Sequence, residues 1–204
     1  MEKPYQEIKE IIASMFTSAT IPSAIRTFQD QRQQGLSLGG DDIIIILDGN
    51  FEICNQKNNM ILGEISGPYI LKITPNIFST NYVFTRRSSF SYFTCPRSAF
   101  YAHIKDHNLW RSLLEVLSYS TWLLYQHLEV MKMDNLYDVV KHYLSKIEHD
   151  PTLMRKENVC HYITSRTGYS RSGVMSIIRE LKKGEYIDIE KGKLRWVKTL
   201  PLKF

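Results

Sequence analysis

TGYSRSGVMSIIRELKKGEYI, Thr167 to Ile187, places a Gly-containing turn in front of a segment with two dissimilar sides. Ser170 suits an N-cap after Gly168, because its hydroxyl can accept a free backbone N–H of the first helical turn. Val174, Ile177, Ile178 and Leu181 follow at steps of three and four, which predicts a helix with a buried stripe. Arg171, Ser172, Met175, Ser176, Arg179 and Lys182 fall off that stripe and are expected to project elsewhere. What they project toward depends on the elements around them.

The charge distribution gives a first indication. Residues 151–204 hold 12 Lys and Arg against 5 Asp and Glu, whereas residues 1–150 hold 14 against 16. The entire basic excess is therefore C-terminal, which suggests a polyanionic partner, although a run of charge is usually just a solvated face. At 204 residues the chain is long enough for two domains, each with its own core. No window approaches the roughly 18 apolar residues of a membrane span. Met1 to Ala19 has acidic residues among its apolar ones, so a signal peptide and a membrane partner are not expected and a cytoplasmic location is.

Three cysteines, Cys54, Cys95 and Cys160, are odd in number and far apart, which argues against a disulfide framework and against a four-thiolate metal site. His103 and His107 have the i, i+4 spacing that can bring two imidazoles together, but no carboxylate or thiol partner is evident beside them. No cofactor and no metal are expected.

Residues 4–34 read as one or two helices, with Ile8, Ile11, Ile12, Met15 and Phe16 on a stripe and Pro22 breaking the pattern. From Gly35 the texture changes. IIIILDG (43–49), FEIC (51–54), MILGEI (60–65), YILKI (69–73), VFTR and FSYFTC read as short strands separated by Asp-Gly, Asn-rich and Gly-Pro turns, which predicts an antiparallel barrel or sandwich. Phe90, Tyr92 and Phe93 either line a ligand cavity or fill the core of that barrel.

Between Asp106 and Asn135 there is no Pro or Gly, and Trp110, Leu113, Leu117, Leu124, Leu128 and Met131 recur at helical steps. A helix of that length spans about 45 Å. Leu114, Trp122 and Leu123 lie off the first stripe, so the helix has enough apolar surface to pack on its own domain and to form a parallel seam in a homodimer. A shorter helix is expected from Asn135 to Glu148, ended by His149-Asp150-Pro151, and another from Lys156 to Thr167 with Val159, Ile163 and Tyr162 inside. YIDIE and KLRWV on either side of Lys191-Gly192 signal a β-hairpin.

Helix, turn, helix and hairpin make a winged helix-turn-helix. Its second helix would enter a major groove, where Arg171 and Arg179 can bond guanine and Ser170, Ser172 and Ser176 several base edges, with Met175 beside them. Ser172, Gly173 and Ser176 are small enough to permit close approach. Arg166, Lys182, Lys183, Lys191, Lys193 and Arg195 suit phosphates, which position the module without reading sequence. The same module used only for protein contacts is the alternative. An enzyme built on the strands is the third, and no clustered His and carboxylate ligands, activated nucleophile or phosphate-cradling Gly loop supports it.

The order of antiparallel barrel, long helix, short helix and winged helix-turn-helix, with GDDIIIILDGNFEI and TGYSRSGVMSIIREL within it, resembles the CRP/FNR family of bacterial transcription regulators. The resemblance implies an α+β chain in three parts. These are an N-terminal cyclic-nucleotide-binding-like β-roll over 1–105, a dimerisation helix over 106–135 and a DNA-reading domain over 136–204. It also implies palindromic double-stranded DNA, a second copy of the chain and RNA polymerase as partners.

The departures concern the sensor and the reading helix. Family members that bind cyclic AMP carry a Gly-Glu pair and an Arg-Ser pair. After Gly67-Pro68-Tyr69-Ile70 this chain has Leu71-Lys72, the Arg-Ser position falls near Thr80-Asn81, and the actual Arg87-Ser88 comes later. A cyclic phosphate without its Arg is poorly compensated, so cyclic AMP is not expected to bind. No cysteine precedes Cys54, which removes the family's N-terminal iron–sulfur sensor. The chain is similar in this to the degenerate members, including the IprA-like group of enterobacterial winged-helix regulators. Where the family commonly has base-contacting Glu and Arg, this chain has Ser172 and Ser176, leaving Arg171 as the strong base-reading candidate. Cys54 and Cys160 are candidate redox-sensitive thiols if exposed and acidic enough.

Overall fold

The computed structural model describes residues 1–17, 25–28, 36–37, 40–55, 57–74, 82–86 and 90–201. The chain forms two compact units, Met1–Tyr125 and Gln126–Phe204, and the division falls inside the long helix.

In the first unit α1 (Tyr5–Thr17) buries Ile8, Ile11, Ile12 and Met15. Phe16, expected on the same stripe, is exposed and only its ring edge meets Phe93, at a centroid distance of 5.4 Å. A second helix before residue 34 does not form at Arg26–Phe28, which is strand β1, paired with the later strand Phe90–Cys95. Pro22 lies outside the described residues.

The remaining strands are β2 (Leu36–Ser37), β3 (Ile43–Ile46), β4 (Asn50–Asn55), β5 (Met60–Ser66), β6 (Tyr69–Leu71), β7 (Tyr82–Arg86) and β8 (Phe90–Cys95). They make two antiparallel four-stranded sheets, ordered β1-β8-β3-β6 and β2-β7-β4-β5. All four isoleucines of β3 are buried, so this central strand is covered on both faces and reads as a continuous apolar run rather than an alternation. Phe90, Tyr92 and Phe93 are core residues as well. The LDG turn after β3 is tied down on two sides. Asp48 Oδ1 accepts from Ser91 N at 2.8 Å, and Gly49 O accepts from Gly67 N at 2.8 Å.

Helix α2 (Arg97–Asp106) ends at His107, and Asn108 adopts a left-handed φ of 52°, which Asn tolerates. Leu109 N then donates back to Ile104 O at 2.9 Å. This break starts α3 at Trp110, and the helix runs to Met131, 22 residues in place of the expected thirty, or about 33 Å. Ser112, Leu113 and Val116 face the first unit's core, and Ser112 Oγ donates to Glu10 of α1.

In the second unit α4 (Leu136–Glu148) is capped by Asn135, whose side chain accepts from Asp138 N. A short α5 (Pro151–Lys156), capped by Asp150, was not evident from sequence and carries Lys156. Helix α6 therefore begins three residues later than expected, at Val159, and runs to Thr167. Helix α7 (Arg171–Lys183) and the hairpin β9 (Ile187–Glu190) and β10 (Lys193–Val197) complete the module. Its own core contains Tyr143 and Leu144 of α4, Tyr162 and Ile163 of α6, Val174 and Leu181 of α7 and Leu194 of β10.

A Cβ at Gly67 would lie 2.7 Å from backbone atoms of Asp48. Gly67→Ala is thus expected to destabilise the first unit by about 1–3 kcal/mol through overpacking against backbone. The measurement is the urea midpoint of that unit, followed by tryptophan fluorescence.

Candidate nucleic-acid interface

The helix-turn-helix is built as its residues dictate. Asn158 caps α6 by accepting from His161 N, and Gly168 closes the helix in the left-handed conformation at φ 70°. Ser170, extended at φ −67° and ψ 145°, caps α7 by accepting from Gly173 N at 3.2 Å. Val174, Ile178 and Leu181 are buried against α4, α6 and the hairpin, with Ile177 partly buried beside them. This fixes the rotation of α7 and leaves Arg171, Ser172, Ser176, Arg179, Lys182 and Lys183 exposed.

Four residues read as part of the interface sit otherwise. Arg166 is only 8% exposed, with its guanidinium carbon 3.7 Å from the centre of the Tyr162 ring and Nη1 donating to Tyr162 O at 3.2 Å. It braces α6 from within rather than reaching a phosphate. Met175 packs partly buried against the second core. Gly173 faces inward, since a Cβ there would meet Leu136 Cδ2 of α4 at 3.0 Å, so its smallness serves helix packing and not approach to a ligand. Arg195 is exposed but held by Glu190, with Nε at 2.9 Å and Nη2 at 2.5 Å from Oε2.

The hairpin turn takes the predicted form, with Lys191 at φ 50° and Gly192 at φ 80°, the left-handed pair of a two-residue connection. It is not a free tip. Gly192 O accepts from Val159 N at 2.8 Å, which ties the turn to the start of α6, and Lys182 Nζ donates to Ile189 O at 2.8 Å, which ties the end of α7 to β9. Lys191 and Lys193 are exposed beside that tether. The sequence did not single out two exposed aromatics of this unit, Tyr169 in the turn before α7 and Trp196 on β10. Large aromatics left outside a core were the available signal for both.

Along α3 the seam residues divide. Trp110, Leu124, Leu128 and Met131 are exposed, as are Leu114 and Tyr125. Leu113 is buried in its own unit's core and Leu117 packs against it, so neither lies on an open face.

Lys72, at the place where the family's Gly-Glu pair is expected, is 8% exposed with a left-handed φ of 63°, and its ammonium donates to Gly40 O at 2.5 Å. Burial and the nearby Arg97 guanidinium both lower its pKa. Arg97 in turn donates to the carbonyls of Lys72 and Ile73 and pairs with Asp41. Thr80, Asn81, Arg87 and Ser88 lie outside the described residues.

All three thiols are buried. Burial pushes the Cys95 and Cys160 thiols up from their ordinary pKa, away from the reactive thiolate. His103 and His107 stack at 4.0 Å, with His103 Nε2 bonded to Ser14 Oγ, and burial holds the His103 imidazole below its usual pKa. Among the described residues no group of three His, Cys, Asp or Glu is placed to hold a metal ion, and no helix is long and apolar enough to cross a membrane.

An N-terminal antiparallel roll followed by a C-terminal winged helix-turn-helix defines the CRP/FNR-like fold. Residues 136–202 match the family model described as winged helix-turn-helix DNA binding. The chain is 25% identical over 182 residues to the inhibitor of hydrogen peroxide resistance of Escherichia coli K12, covering 87% of each. Among solved structures it is similar to the c-di-GMP-responsive global regulator CLP of Xanthomonas campestris. That match has a TM-score of 0.68 at 11% identity, over 95% of this chain and 100% of the other. It is also similar to a CRP/FNR-family transcriptional regulator of Thermus thermophilus, with a TM-score of 0.58 at 17% identity, over 86% and 94%.

Ser170→Ala is expected to cost about 1 kcal/mol of stability in the second unit, and Ser170→Asp to restore most of it, because either side chain but not Ala can accept the Gly173 N–H. Thermal unfolding of the three proteins checks this.

Proposed function

We propose that the protein is a homodimeric, sequence-specific DNA-binding transcription regulator of the degenerate, IprA-like type, which acts without cyclic AMP. The observation that carries this reading is the exposed Ser and Arg face of α7, held at a fixed rotation by its buried stripe on a basic module. Arg171, one residue after the cap, is the base reader, because an Arg at the start of a reading helix can bond guanine O6 and N7 together. Ser172 and Ser176 read adjacent edges, while Arg179, Lys182, Lys183, Lys191 and Lys193 contact phosphates.

The apolar residues exposed on α3 support pairing with a second copy, which sets the two reading helices about 34 Å apart on a palindrome. Lys72 standing where an acidic ligand-binding residue is expected, with its ammonium already on Gly40 O, supports independence from cyclic AMP. The similarity to a protein named for inhibiting hydrogen peroxide resistance supports target genes whose expression bears on peroxide tolerance. The buried thiols favour control by DNA occupancy over direct thiolate chemistry with peroxide.

Selection from a random duplex pool with the purified protein and no added ligand, at two salt concentrations, is expected to recover a palindrome. Recovery of no motif and no salt dependence would favour a winged helix that binds a protein partner. On the selected site, Arg171→Ala is expected to lose about 1–3 kcal/mol and to relax sequence preference, whereas Lys193→Ala weakens all duplexes alike and lowers the salt slope by about one. Leu124→Glu is expected to shift the protein from dimer to monomer in analytical ultracentrifugation, with the second unit still folded.

A further inference from the structure

The hairpin contains an irregularity whose effect is to aim one side chain. Leu194 pairs with Ile189, yet Trp196 pairs with Asp188 and Val197 with Ile187, so Arg195 is an extra residue, a bulge. A bulge shifts the alternation of faces by one. Leu194 and Val197 consequently both join the core side with Ile187, and Trp196 is turned outward with Asp188. Its side chain is 41% exposed, and Lys198 Nζ lies 5.1 Å from the ring centre.

The Lys198 ammonium stands over this ring, and the acids of the hairpin strands are already paired. Each acid of the hairpin is matched by a cation of the same unit: Glu190 by Arg195 at 2.5 Å, and Asp188 by Lys182 at 3.9 Å. The second pair also makes the surface continuous, because Lys182 belongs to the last turn of α7 and Asp188 is the cross-strand neighbour of Trp196. The exposed face of α7 therefore leads through Lys182 to an aromatic ring flanked by Lys198. A flat apolar ring beside Lys198, with Lys182 across the strand pair, matches the alternation of deoxyribose and phosphate along a DNA strand.

We propose that Trp196 is a further DNA contact, packing on the sugar edge of the backbone beside the groove that α7 enters, with Lys198 and Lys182 on the adjoining phosphates. This inference rests on the DNA-binding reading above and adds to it a contact that does not depend on sequence. The sugar is the same at every base pair, so the ring contributes affinity and position without specificity.

The test uses the full-length protein labelled with 5-fluorotryptophan, which gives one 19F signal each for Trp110, Trp122 and Trp196, assigned with Trp196→Phe. Adding duplex is expected to move the Trp196 signal. Trp196→Ala is expected to weaken binding roughly 3- to 10-fold, equally on the selected site and on unrelated duplex, with the salt slope unchanged because no charge is removed. Trp196→Phe is expected to retain most of the affinity, and Lys198→Ala to lower the salt slope by about one. If DNA binds and responds to Arg171→Ala while the Trp196 signal stays fixed and Trp196→Ala binds normally, the inference is wrong and the DNA-binding reading survives; the ring then belongs to a protein contact. If no duplex is bound by the unsubstituted protein, both fall.

Discussion

The burial of one stripe, Val174, Ile178 and Leu181, sets what the second unit can do. Three side chains at steps of four and three fix the rotation of α7 about its axis, and close packing leaves little freedom to change it. Gly173 reinforces this from the N-terminal end, where a Cβ would press on Leu136 Cδ2 at 3.0 Å. Once the rotation is fixed, Arg171, Ser172, Ser176 and Arg179 are outward by geometry rather than by preference. The hairpin follows from the same core through Leu194 and Ile187, and its two backbone tethers, to Val159 and from Lys182, join wing, first helix and reading helix into one body.

The first unit obeys a different constraint. Its central strand has both faces buried and its aromatic strand fills the interior, so apolar packing holds the roll together. The polar interactions lie at the ends of strands. Asp48 and Gly49 close one turn, and Arg97 satisfies the carbonyls that follow β6 while Lys72 reaches back to Gly40.

Periodicity made much of this legible. The strands β3 to β8, α4, α7 with its Ser170 cap and the Lys191-Gly192 hairpin are all visible in patterns of apolar and turn residues. What escaped depends on packing and backbone conformation that an apolar pattern does not carry. Arg166 reads as a phosphate ligand because its charge is visible, but its burial on Tyr162 is a packing event four residues back. Gly173 reads as space for a ligand until Leu136, thirty-seven positions earlier, is found against it. The break at Asn108 interrupts an unbroken apolar pattern because a left-handed residue ends a helix without any Pro or Gly. The bulge at Arg195 is invisible for a similar reason: strict alternation would put Trp196 on the same face as Leu194, and only the strand pairing shows the shift.

Helix α3 connects these points to assembly. Its inward positions are taken by Ser112, Leu113 and Val116, yet Leu114, Leu124, Tyr125 and Met131 each keep more than half of their surface in water, with Trp110 close to that. Scattered apolar residues on a surface need no explanation, but six large ones on one helix of 22 residues, Leu128 included, are a liability for a chain that stays alone. A second copy removes them from water in one step, since a two-fold axis brings identical faces together. The same axis would repeat α7. On the proposed reading each module has few base-reading side chains, with Arg171 the main one, and specificity for a site in a genome would come from reading two half-sites at a fixed spacing. The apolar face of α3 and the sparse reading face of α7 thus support the same conclusion from opposite ends of the chain.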